Sequence, residues 1–266
     1  MVIKIVLLLT FFLHFISTVA LSVRIVGIRT GKMAASYAVY NIIFLVARFI
    51  NTFQGPLLAK YIENSILSGA EPDNLLFFEL CCASFLGSIV GAFFIPTVQR
   101  FMYKAVEKAY QQSSVLKILI QSIHTKTLSH LQETLTVPSK ANITRLKRIN
   151  DMPITMIFLN VIVSALLTIS VLSCLYAGYL NPNLRSTSLS LNGFIVGLST
   201  IITMIIVEPH IGITADKVIN GEFSEVYFRR YISFVVLARV IGTGLSYFLL
   251  IPLAHLVIWL AKYVFG

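Results

Sequence analysis

Residues 154–180 read ITMIFLNVIVSALLTISVLSCLYAGYL, a run without one charged side chain. A helix needs ~20 apolar residues to cross the hydrocarbon core of a bilayer, and this run exceeds that length. Five more stretches of the same character lie at 2–23, 33–59, 75–98, 189–207 and 231–261. The expected fold is therefore all-α: a polytopic membrane bundle of six transmembrane helices. Composition agrees. Of the 266 residues 57% are apolar and 12% charged, against roughly 25% charged in soluble domains, and the mean hydropathy is +0.85.

The basic residues set the expected orientation. The gap 24–32 holds Arg24, Arg29 and Lys32, the gap 99–153 holds nine, and the gap 208–230 holds Lys217, Arg229 and Arg230. The remaining gaps and ends hold only Lys4, Lys60, Arg185 and Lys262. Dense and sparse gaps alternate strictly, which under the positive-inside bias puts the dense gaps in the cytoplasm and both termini outside. The net charge of +10 thus sits where anionic membrane lipids attract it, and nucleic acid is not an expected partner. The first span is read as retained rather than as a cleaved signal, because its charge follows its long apolar stretch and five more spans come after.

Three regions are expected. Residues 1–98 carry three spans, 99–153 form a basic cytoplasmic region, and 154–266 carry three more, all within one integral membrane domain. Three spans on each side permit a 3+3 inverted arrangement by topology alone, since the halves share no evident sequence match. Within the basic region, apolar residues recur at helical spacing from 101 to 135, with a further short helix expected after Pro138, as suits helices on the membrane surface. The last segment contains Gly242, Gly244 and Pro252 and is too long for a simple span, so a tilt, kink or extension beyond the bilayer is expected.

Polar residues inside the spans mark a candidate site. An arginine at mid-bilayer costs about 3 kcal/mol, so it normally faces a partner, a cavity or a substrate. Two of the 21 basic residues, Arg48 and Arg239, lie there. Asn41, Arg48 and Gly55 recur at seven-residue steps with Asn51 and Thr52 close by, and Arg239, Gly242, Thr243 and Ser246 share a face of the last span. His14 and Arg24 on the first span complete a possible cationic cavity. The opposing expectation is pairing with acid: Glu79 is the obvious intramembrane carboxylate, with His14 and Glu208 as further ion-pair or coupling groups. Asn160, Ser164, Thr168, Ser199 and Thr203 are expected to bond between helices. Cys81, Cys82 and Cys174 all fall within spans as buried thiols, without disulfide or metal spacing.

No catalytic, metal-ligand or cofactor motif is present. Gly31-Lys32 fails as a phosphate loop, because Val26 and Met33 stand where a glycine and a Ser or Thr belong. The expected protein is thus not an enzyme, and a membrane enzyme acting on polyprenyl phosphates would need acids more tightly clustered than Glu208 and Asp216.

Ser17-Thr18, the hinge from Ser22 to Lys32, then Asn41, Arg48, Asn51-Thr52 and the run Gln54-Gly55-Pro56-Leu57-Leu58-Ala59-Lys60 resemble the Amj family of lipid II flippases. The resemblance implies a multi-pass protein of the bacterial plasma membrane that moves undecaprenyl diphosphate-linked peptidoglycan precursor from the inner to the outer leaflet, as an alternate to the unrelated flippase MurJ. It supplies no residue roles, so these rest on chemistry. Arginine binds phosphate oxygens bidentately. Arg24, Arg29 and Lys32 are expected to receive the diphosphate of lipid II, with Arg48 and Arg239 holding it midway beside Asn41 and Asn51. The alternative is a secondary transporter of ions or small solutes using the same cationic cavity.

Overall fold

The computed structural model describes residues 2–112 and 151–265, and among them every regular element is helical. In chain order these are α1 (Val2–Ala20), α2 (Ser22–Thr30), α3 (Met33–Leu67), α4 (Asn74–Gln112), α5 (Ile154–Leu180), α6 (Arg185–Ser190), α7 (Asn192–Ile202), α8 (Glu208–Ile219) and α9 (Glu225–Tyr263). They make six spans long and apolar enough to cross a membrane. The helix expected after Pro138 lies outside the described residues, as do the positions beyond 112 in the stretch expected from 101 to 135. Residues 101–112 continue α4.

Four spans are single long helices, and the first and fifth are broken. Span one is interrupted at Leu21, whose N–H bonds back to the Thr18 carbonyl and beside which Ser22 Oγ donates to the Val19 carbonyl. Span five, Pro182–Ile219, opens with a 3-10 turn at Pro182–Leu184 and continues through α6 and α7. A π-helical turn at Thr203–Val207 then joins it to α8. The last span is one uninterrupted helix that carries Pro252 and runs past the apolar stretch at both ends. Gly31 closes α2 in the left-handed region (φ 66°) and so sends the chain back into α3, a conformation glycine adopts without a Cβ penalty.

Small residues set the closest packing, as expected where the hydrophobic effect cannot drive helices together in lipid. A Cβ on Gly87 or Gly91 of α4 would collide with α1, and one on Gly242 of α9 would meet the Val161 carbonyl and Ser164 of α5. The paired helices α1 with α4 and α5 with α9 are accordingly the most intimate contacts of the bundle. The intramembrane hydroxyls do not serve as the expected bonds between helices. Thr168, Ser199 and Thr203 donate to the carbonyls of Ser164, Ile195 and Ser199, and Asn160 donates to Met156, all four residues back on the same helix. In a span such a group finds its nearest acceptor one turn away, so it satisfies itself locally.

Two apolar cores fill the bundle. One gathers Val6, Leu58, Ile62, Phe77, Tyr176 and Leu250, and the other Val23, Val26, Tyr40, Phe228 and Tyr231. On α1, α4 and α9 the residues separating them are polar: Thr10, His14 and Thr18, then Ser84 and Ser88, then Arg239, Thr243 and Ser246. His14 Nδ1, Ser88 Oγ and Arg239 Nε are buried there without a hydrogen-bond partner.

Candidate functional site

Helix α3 carries a stripe at three-, four- and seven-residue steps: Tyr37, Asn41, Arg48, Thr52, Gly55, Ala59 and Glu63. Such steps return to one helical face. The helix packs on α1 and α2 and touches α4 and α5, but it stands apart from α7. A groove therefore runs between α3 and span five, floored by α5. Between these walls lies a cavity of about 680 Å³, lined by Asn51, Thr52, Gly55, Lys60 and Glu63 of α3, Cys174 of α5, and Arg185 and Asn192 of span five, with others. That is within the range of about 300–1,000 Å³ typical of ligand sites.

Ionic contacts join the two walls at both ends. At the first end Arg24, only 2% exposed, donates from Nη2 to Glu208 Oε1 at 2.6 Å, and its guanidinium lies 4.3 Å from the ring centre of Tyr40. Tyr37 Oη donates to the other oxygen of the same carboxylate. Glu208 thus ties α2, α3 and α8 into one buried knot. At the opposite end Arg185 Nη2 donates to Glu63 Oε1 at 2.8 Å, and Lys60 Nζ donates to Glu63 Oε2 at 3.3 Å.

Between the ends Arg48 is exposed, its guanidinium 5.3 Å from the Phe44 ring centre. Among the described residues it makes no ion pair, and the same holds for Arg239 and Glu79. Glu79 is exposed on α4. Asn41 and Asn51 are exposed along with Arg48, and of the three Asn51 lines the cavity. Arg239 is placed elsewhere, in the polar layer of the bundle, near enough to His14 and Tyr40 to act on both electrostatically. The remaining cations have partners: Arg29 Nε reaches Glu225 at 2.9 Å, and Lys32 Nζ reaches Glu107 at 2.5 Å under the face of Tyr110.

Sequence reasoning missed Tyr37, Lys60, Glu63, Arg185 and Asn192. Tyr37 and Glu63 were within reach, since extending the α3 stripe by its own step in either direction lands on them. Arg185 and Asn192 carried no such signal. Among the described residues no group of His, Cys, Asp and Glu is arranged to hold a metal ion.

Residues 9–261 match the family model Amj, described as Alternate to MurJ. The chain belongs to the Amj family. It is 28% identical over 252 residues to lipid II flippase Amj of Bacillus subtilis (strain 168), an alignment covering 94% of this chain and 93% of that one. No solved structure matches. The stretch that matches the Amj model contains the groove and both of its ionic ends.

Proposed function

We propose that this chain is a lipid II flippase of the bacterial plasma membrane, carrying the headgroup of undecaprenyl diphosphate-linked precursor along the groove between α3 and span five while the polyprenyl tail stays in lipid. The observation that carries this is Arg48: an exposed guanidinium among exposed Leu45, Phe49 and Phe53, without an acid, midway between two ionic ends. Family membership supplies the anion for it. A groove open along one side suits a substrate whose tail remains in the bilayer, whereas an ion or small solute needs a path enclosed on all sides.

In this scheme the end carrying Arg29, Lys32 and Glu107 faces the cytoplasm, where its basic residues also meet anionic lipid. Arg29 and Lys32 exchange their carboxylates for the diphosphate, and Arg24 holds the groove wall through Glu208. Asn41 and Asn51 offer amide groups to the sugar and peptide. The protein moves its substrate and makes or breaks no bond in it.

The test is a cell in which this chain is the only lipid II flippase, read by surface exposure of lipid II. Wild type restores exposure, and Arg48→Ala and Arg48→Glu abolish it at unchanged expression and near-unchanged thermal stability, because the side chain is exposed and its one described contact is with the Phe44 ring. Full transport by both variants overturns the groove. Failure of the wild type at normal expression overturns the substrate and returns the solute transporter.

A further inference from the structure

We infer that Arg185 and Lys60 form a second anion site at the far end of the groove, and that the Glu63 carboxylate occupies it as an internal stand-in for the diphosphate of a polyprenyl lipid. The inference rests on the flippase reading and assigns a role to residues at the end of the groove remote from Arg29 and Lys32.

One carboxylate here is shared by two cations. Glu63 takes Arg185 on one oxygen and Lys60 on the other, so two positive charges meet a single negative one. The arginine gives one nitrogen, Nη2, to the carboxylate, and a guanidinium also binds phosphate oxygens. All three side chains are roughly a third exposed or more, so none is locked in place by burial. The cavity begins directly beside them, and all three line it. Asn192, on the same lining, has its amide oxygen buried without a partner, leaving a free acceptor for a hydroxyl or amide of the headgroup. Here the excess cation, the cavity and the unsatisfied acceptor converge, which is the composition of a ligand site with a self-occupying anion.

In operation, a diphosphate arriving past Arg48 displaces Glu63 from Arg185 and separates α3 from α6 at that end. When the lipid leaves, Glu63 returns and closes it. Release is therefore built into the site, since the occupied state always competes with an anion that cannot diffuse away.

The test depends on the sign of the effects. In purified protein in nanodiscs, binding of undecaprenyl diphosphate is measured for wild type, Glu63→Gln and Arg185→Gln. A stand-in that leaves the site free about a tenth of the time weakens apparent affinity about tenfold. Glu63→Gln is thus expected to bind roughly tenfold tighter, and Arg185→Gln about tenfold weaker through loss of a charge-assisted bond. Inorganic pyrophosphate competes in the expected case, and phosphatidylglycerol does not.

Glu63→Gln and Arg185→Gln moving in the same direction makes the contact a structural tie and overturns the site. Equal competition by phosphatidylglycerol overturns the diphosphate class. Thermal unfolding of each variant separates binding from folding, and Glu63→Gln remains decisive alone, because a misfolded protein does not bind more tightly. The transport assay on wild type and Arg48 variants judges the flippase reading separately.

Discussion

Arg24 shows how a single residue changes meaning between sequence and structure. Its position at the end of an apolar span marks a cation at the membrane face, open to an arriving anion. In the structure it is among the most deeply buried side chains of the protein, paired through Nη2 with Glu208, a residue 184 positions away, while its Nε and Nη1 are buried without a hydrogen-bond partner. Burying two charges costs much of what their attraction returns, yet removing one partner alone is severe, because it strands the other. Glu208→Gln is therefore expected to lower stability by about 3–5 kcal/mol, and adding Arg24→Met is expected to restore most of the loss. Unfolding of both variants in detergent checks this; a double variant as unstable as the single one would mean that Glu208 acts through Tyr37 instead.

At the scale of elements, the break in span five lies beside Glu208. The π turn at Thr203–Val207 ends immediately before that residue, and such a turn adds a residue to the helix and often marks a functional site. Deleting Ile205, which is 69% exposed, removes the added residue, so the turn is expected to relax to ordinary α-helix while α8 and the contact of Glu208 with Arg24 stay in place. Unfolding of the deletion variant is expected to match wild type; a loss as large as that of Glu208→Gln would show that the π turn itself sets the position of Glu208. The same element shows what was legible. Apolar length is a local property, so all six spans could be read directly, and so could the stripe of Asn41 and Arg48. Thr203 to Val207 contains neither Gly nor Pro, but Pro209, which has no N–H to give the Ile205 carbonyl four residues back, is a local cause of the break. Arg185 appeared incidental because its partners, Lys60 and Glu63, lie on another helix, and a groove between helices has no spacing in the sequence. Glu79 illustrates the opposite error: it was the acid nearest to hand in the spans, yet its side chain faces outward.

Across the whole molecule, the direction of travel depends on which end of the groove faces the cytoplasm. One end of the bundle collects Arg29, Lys32, Arg100, Lys104, Lys108, Lys217, Arg229 and Arg230, and the other has Lys4, Lys60, Arg185 and Lys262. Basic residues are retained on the cytoplasmic side during insertion, so the Arg185 end is expected outside together with both termini. Two exposed loop positions report this without touching the groove: Glu71, before α4, and Glu222, between α8 and α9. With the native cysteines replaced, a membrane-impermeant maleimide is expected to label Glu71→Cys in intact cells and Glu222→Cys only after the inner face is opened. The reverse pattern would put Arg185 and Lys60 at the entrance. Glu63 would then guard loading rather than release, and Glu63→Gln would speed capture of lipid II from the cytoplasmic leaflet instead of holding it at the outer one.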